Sequence, residues 1–168
     1  MGEVGSRRPP QTYNGPLEAG VRAIALLAAA FPRALDLHKL TMLDYLLTRT
    51  GEIGGPANIH PPSPINVPAT EVRRRIIQRA LLLMMTRNLV VREISAEGFQ
   101  YVAGDAAAPF LDALQGDYML ALKERAAWLA GYLDAHGDTD FDTVIRDLFD
   151  SWVAEFQSIE QSFGKEPS

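Results

Sequence analysis

Residues 70–102 read TEVRRRIIQRALLLMMTRNLVVREISAEGFQYV, an arginine-studded amphipathic segment followed by two β-prone runs. Pro68 and Thr70 form a helix start signal, and Glu71 puts a negative charge in the first turn, where the helix dipole favours it. At 100° per residue, Val72, Ile76, Ile77, Ala80, Leu81, Leu83 and Met84 share one broad arc, while Arg74, Arg75, Gln78 and Arg79 share the opposite one. The spacing predicts a helix to about Arg87 with one core face and one basic face. Arg73 points into the apolar arc, where a guanidinium must be paired, and Asp44 or Glu18 are the candidate carboxylates. Leu89 to Ser95 and Phe99 to Val102 are separated by Ala96, Glu97 and Gly98, the spacing of a hairpin with a short glycine-containing loop. A helix followed by such a hairpin is the reading half of a winged helix, which narrows function to binding.

Working towards the N-terminus, residues 51–68 are rich in glycine and proline and show little periodicity, so this connection is too long for a minimal helix-turn-helix. Gly51, Gly54 and Gly55 are followed by no Lys-Ser or Lys-Thr and preceded by no strand, so they do not read as a phosphate loop. Before them a helix begins after Asp36, places Leu37, Leu40, Leu43 and Leu47 on one side, and stops at Gly51. Another runs from Pro16 to Phe31 with Asn14 as its cap, an apolar stripe of Leu17, Val21, Ile24, Ala28 and Phe31, and Pro32 as its stop. These two form a helical hairpin. Residues 1–13 form a flexible arm with Arg7 and Arg8 as a weak basic element.

Towards the C-terminus the pattern becomes wholly helical. Ala106 to Leu114 is a short helix opened near Asp105, and Asp117 to His136 is a longer one carrying Tyr118, Leu122, Leu129, Tyr132 and Leu133 at helical spacing. Gly137 ends it. Asp140 then caps a last helix in which Phe141, Ile145, Leu148, Trp152 and Phe156 oppose Asp142, Asp147 and Asp150. The predicted architecture is mainly α: a flexible arm (1–13), a winged-helix domain (14–103) of three helices and a β-hairpin wing, a C-terminal helical extension (104–157) and a flexible tail (158–168).

Composition bounds the function. A chain of 168 residues with 47% hydrophobic content can bury a core without disulfides. Cysteine is absent, which removes thiolate zinc sites and cysteine nucleophiles and fits a cytoplasmic location. The longest apolar stretch, Ala23 to Phe31, is far short of the roughly 20 residues that cross a bilayer, and no signal-peptide pattern opens the chain. His38, His60 and His136 are scattered singly, without the spacing of metal ligands, so no metal or other cofactor is expected. Ser6, Ser63, Ser95 and Ser151 lie in no nucleophile-elbow context and no oriented base can be identified, so the chain reads as a non-enzyme with no catalytic residue.

Charge divides the chain in two. Residues 1–103 carry 12 Lys and Arg against 8 Asp and Glu, while residues 104–168 carry 4 against 13, so +4 and −9 make up the net −5. Two surfaces of opposite sign for two partners are implied, with an anionic partner suiting the basic half.

A set of short motifs in a fixed order carries a family resemblance. Asn14-Gly15-Pro16-Leu17-Glu18 with Arg22, Phe31-Pro32, Asp36-Leu37, Leu43-Asp44-Tyr45, Gly51 with Gly54-Gly55-Pro56, His60-Pro61, Glu71 with Arg73-Arg74, and Leu120 with Leu122-Lys123-Glu124-Arg125-Ala126 and Trp128 resemble the middle component of ABC-three-component systems, over about Asn14 to Phe156. The resemblance implies a winged-helix adaptor encoded between an SMC-like or Rad50-like ATPase and an effector, in bacterial conflict systems of the kind that includes Lamassu anti-phage defence. It implies a small non-catalytic subunit with two protein partners, the ATPase and an effector such as a nuclease, and contact with DNA only through the assembled complex.

The residues themselves favour the same role. Leu82 and Met85 fall outside the core arc beside Arg74 and Gln78, and apolar atoms flanked by arginine suit a protein interface better than a phosphate-binding face. The candidate partner-binding residues are therefore Arg74, Arg75, Gln78, Arg79, Leu82 and Met85, with Asp142, Asp147 and Asp150 as an acidic counterpart. The alternative is a stand-alone winged-helix transcriptional regulator that reads the major groove with the helix from Glu71 to Arg87, using Arg75, Arg79 and Arg92. A pI near 5.2 and only +4 on the winged half give that alternative thin electrostatic support.

Overall fold

A computed structural model describes residues 15–59 and 70–163. The arm at 1–13, the Asn14 cap, the prolines at 61–68 and the last five residues of the tail lie outside the described residues. Pro16, whose fixed φ suits a first helical position, opens α1 (Pro16–Ala30), with Glu18 in the first turn. The predicted stripe of α1 is only partly the core face. Ile24 is buried with Ala19, Ala23 and Leu27, whereas Leu17 and Phe31 are exposed at the two ends. The reason is the alanine-rich middle: small side chains let neighbours approach α1 from several sides, so burial from Ala19 to Leu27 has no helical period for a sequence to display.

After Pro32 a two-residue strand, β1 (Leu35–Asp36), precedes α2 (Leu37–Leu47). Asp36 caps α2 as expected, its carboxylate accepting from the Lys39 backbone N–H at 2.7 Å. The stop differs from the expectation: α2 ends at Leu47, and Gly51 lies within a 3-10 turn, Thr50–Ile53. Every residue from Leu40 to Thr50 is buried, including Thr41, Asp44, Thr48 and Arg49. The glycine-rich stretch that follows is tied down rather than open. Thr50 Oγ1 donates to the Pro56 carbonyl (2.7 Å), the Gly51 N–H donates to Asn58 Oδ1 (2.9 Å), and the Ile59 N–H donates to the Thr48 carbonyl (3.0 Å).

The decisive segment folds as read, with α3 (Thr70–Met85) followed by β2 (Val90–Ser95) and β3 (Gly98–Ala103). The core stripe of α3 is narrower than predicted. Ile77, Ala80, Leu81 and Met84 are buried at i, i+3, i+4 and i+7, while Val72 and Leu83 are exposed, because α3 packs mainly against α1 and α2. Asn88 ends the helix in the left-handed region (φ 57°), and the Leu89 N–H reaches back to the Met84 carbonyl at 3.1 Å in a Schellman turn that aims the chain into β2. The sheet is antiparallel in the order β1-β3-β2, with Leu35 opposite Tyr101 and Ile94 opposite Phe99.

Beyond the hairpin lie a short α4 (Ala107–Asp112) and α5 (Asp117–Phe163). Helical geometry in α5 is broken at Gly137 (φ 68°, ψ 171°), a combination that side-chain-bearing residues avoid, so the predicted end of one helix is found there; the next resumes at residue 138, which puts Asp140 within it rather than at its cap. Leu122, Ala126, Leu129 and Leu133 before the break, and Phe141 and Ile145 after it, join the same core as α1 and α2. The side chains of Asp140, Leu148, Trp152 and Phe156 lie outside the described residues, and helix is assigned past 157 to Phe163.

The loop after α2 holds α5 in place. Arg125 donates from Nε (3.0 Å) and Nη2 (2.7 Å) to the Ala57 carbonyl, and Gly55 lies flat against Trp128. A Cβ on Gly55 would come within 2.8 Å of the Trp128 ring, a rigid group with no flexible tip to move aside. Gly55→Ala is therefore expected to destabilise the protein by about 1–3 kcal/mol through overpacking. Thermal denaturation followed by tryptophan fluorescence measures this, and an unchanged midpoint would show that the loop can give way freely.

Candidate interaction surface

At the base of the α3 face lies a buried ionic network. Arg22 from α1 donates Nε–H to Asp44 Oδ1 at 2.7 Å, and Arg73 from α3 donates from Nη1 to Asp44 Oδ2 at 2.5 Å. Arg22 is 4% exposed and Asp44 3%. The predicted partnership of Arg73 with Asp44 is thus present, and Arg22 is a second partner that reading α3 alone could not reveal. The Arg49 guanidinium stacks 4.2 Å and that of Arg73 5.3 Å from the centre of the Tyr45 ring. Burial opposes the charge on Arg22, but the charge and hydrogen bonds of Asp44 outweigh it and raise the Arg22 pKa. For Arg49 burial wins, and the positive charge of Arg73 adds to the lowering. This cluster joins α1, α2 and α3.

The outward face of α3 carries Arg74, Arg75, Gln78 and Arg79, all exposed as predicted. Arg75 lies 3.8 Å from Glu71 one turn earlier, a solvent-exposed pair of small energetic weight. Leu82 is 52% exposed and flanks Arg79 and Gln78 at i+3 and i+4. Met85 does not join it: the side chain is half-buried against the core. The second exposed leucine is instead Leu83, at 45%. Met85 turns inward because the narrow stripe centred on Ile77, Leu81 and Met84 draws its neighbour on the last turn toward the core.

The hairpin carries a second apolar patch. Directly opposed residues share a sheet face, so Val90, Tyr101, Ile94 and Phe99 lie on one side, the first two buried and the last two not. The core-facing side of the hairpin thus overshoots the body, leaving Ile94 84% exposed and Phe99 beside it. Arg92 covers Phe99, its guanidinium 4.4 Å from the ring centre. On the acidic half, Asp142, Asp147 and Asp150 are exposed on α5 beyond Gly137. Asp147 lines an open surface depression with Glu52, Ile53, Tyr132 and Val144. Sequence reading could not connect Glu52 with Asp147 because they lie on separate elements far apart in the chain.

The sequence profile of the ABC-three component (ABC-3C) system Middle Component 2 family matches residues 12–155. The chain belongs to this family. No curated protein and no solved structure matches it. A middle component works with other components of an ABC-three component system, as the family name states. The motifs that carried the resemblance converge in this Middle Component 2 fold: Arg22, Asp44, Tyr45 and Arg73 form the buried network, while Gly55, Arg125 and Trp128 clamp α5. They build the scaffold, and the exposed residues of α3, the hairpin and α5 form its surface. Among the described residues no group of three metal-ligating side chains is assembled, and no helix is long and apolar enough to cross a membrane.

Proposed function

We propose that this chain is a non-catalytic adaptor that links an SMC-like or Rad50-like ABC ATPase to an effector subunit, such as a nuclease, in a cytoplasmic bacterial anti-phage defence complex of the Lamassu kind. We assign residues 14–103 to a winged-helix domain, with α3 as its recognition helix and the β2-β3 hairpin as its wing; the order α1-β1-α2-α3-β2-β3 with sheet order β1-β3-β2 supports this reading. The observation that carries the adaptor reading is the character of the α3 face, where Leu82 and Leu83 stand exposed between arginines. Apolar side chains ringed by arginine suit a protein contact, whose centre excludes water, better than a phosphate backbone. The wing extends this surface with Ile94 and Phe99. Membership of a family of middle components supplies the need for partners.

On this reading DNA is met by the assembled complex. Of the three candidate DNA contacts, Arg92 is stacked on Phe99 and Arg75 lies near Glu71, and the net charge of −5 gives little long-range attraction to a polyanion. The isolated subunit is expected to bind labelled duplex more weakly than about micromolar at near-physiological salt. Sequence-specific binding tighter than that would assign the chain to the stand-alone regulators instead.

A further inference from the structure

We propose that the free edge of β2 is a strand-addition site, where an extended segment of a partner subunit pairs antiparallel with residues 91–94 and continues the sheet beyond β2. In the order β1-β3-β2, one side of β2 carries no strand among the described residues. Register fixes which backbone groups face that side. Ser95 and Gly98 flank a two-residue loop as a hydrogen-bonding pair, and at the far end the Gly104 N–H donates to the Leu89 carbonyl at 3.0 Å. The odd-numbered residues of β2 therefore turn their backbone groups towards β3, and the N–H and C=O of Arg92 and Ile94 point outward. Burial agrees: β2 is exposed from Val91 to Ile94, so none of the described elements covers this edge.

The occupant is a strand whose sequence differs from that of β2. Two copies related by a two-fold axis would pair antiparallel about one central residue, and the centre of β2 is Arg92-Glu93. The fullest overlaps set Arg92 against Arg92 or Glu93 against Glu93, and like charges directly opposite are destabilising. A different chain escapes that constraint. Opposed residues share a sheet face, so the residue placed opposite Ile94 extends the row that Ile94 forms with Phe99. The complementary segment is apolar at that position, basic opposite Glu93 and acidic opposite Arg92. It would cover Ile94 and Val91, 84% and 46% exposed, while the outward backbone groups supply ladder hydrogen bonds. The edge is preorganised. Ser95 Oγ donates to the Gly98 carbonyl at 3.0 Å and accepts from the Glu97 N–H at 3.2 Å, and on the other side of the hairpin Tyr101 is buried and paired with Leu35.

The partner's identity as a co-encoded subunit rests on the adaptor reading. Hydrogen exchange is measured at single residues in the full-length chain, alone and assembled with its co-encoded subunits. The outward amides of Arg92 and Ile94 are expected to exchange at least about tenfold more slowly in the complex, with a smaller change at Glu93, whose N–H already faces β3. Arg92→Pro removes an outward donor that the β2-β3 ladder does not use, and should weaken assembly at least about thirtyfold with the circular dichroism of the chain retained. Arg92→Ala changes the side chain alone and should stay within about fivefold. Unchanged Arg92 and Ile94 amides in an intact complex, or equal effects of the two variants, would overturn the proposal and leave the adaptor reading standing. Failure of any complex to form would overturn both. A dimer of the free subunit with these amides protected would assign the edge to a second copy and overturn the proposal as well. The exchange measurement uses the unaltered chain, so it decides the outcome even if the proline variant does not fold.

Discussion

Asp44→Ala is expected to lower the stability of the protein by about 3–5 kcal/mol, the cost of leaving a buried guanidinium without its counter-charge. Asp44 bridges Arg22 and Arg73, and Arg22 cannot escape to water because it emerges from the most enclosed part of α1. Against a total stability of roughly 5–15 kcal/mol this is a large fraction. At roughly 2–4 °C per kcal/mol for a chain of this size, the thermal midpoint should fall by about 6–20 °C. Circular dichroism melts measure it. The same physics predicts a rescue: replacing the network by the apolar trio R22M/D44L/R73M should recover much of the loss, because both arginines leave the core together with the carboxylate that pairs them. A fall in Asp44→Ala of less than about 1 kcal/mol would mean that solvent reaches Arg22, contrary to its burial.

The second large effect concerns assembly. Leu82→Asp with Leu83→Asp places two charges where the adaptor reading puts an apolar contact, and should cost about 2–4 kcal/mol of binding to a co-encoded partner, roughly 30- to 1000-fold in Kd. Both side chains are already half in solvent, so the variant should keep its helical circular dichroism. Met85→Asp would not serve, because that side chain packs on the core and its loss would mix unfolding with dissociation. Arg75→Ala with Arg79→Ala is the contrasting variant, for which a change below about tenfold is expected at rim positions. Co-purification of the leucine variant at wild-type yield would remove α3 from the interface. Arginine variants that leave composition unchanged but abolish DNA binding by the complex would place α3 on nucleic acid.

What could be read from the sequence followed how locally each feature is encoded. The helix α3 and its hairpin are legible because period, turn glycine and β-branched runs all fall within 33 consecutive residues. The Asp36 cap and the Gly137 break are legible because each depends on one residue's chemistry. The strand β1 is not: two residues have no period, and Leu35-Asp36 is a strand only because β3 lies beside it. The core face of α1 was obscured because alanines on all sides erase the contrast between faces. Arg73 advertised its need for a partner by standing in an apolar arc. Arg22 gave the same kind of signal, a lone charge among buried alanines and leucines, but without the folded α2 and α3 nothing indicated that both arginines would share one carboxylate.

The break at Gly137 fixes a length as well as a turn. An unbroken α-helix of 47 residues would be a rod of about 70 Å, more than twice the roughly 30 Å width of a small domain. A straight continuation would set Phe141 and Ile145 about 12 and 18 Å past Leu133 along the same axis. Broken where it is, the helix kinks, and Phe141 and Ile145 beyond the break are buried in the core shared with α1 and α2. How far this subunit's negative end extends is therefore governed by the backbone of a single residue, and can be changed there without altering any charge the surface bears.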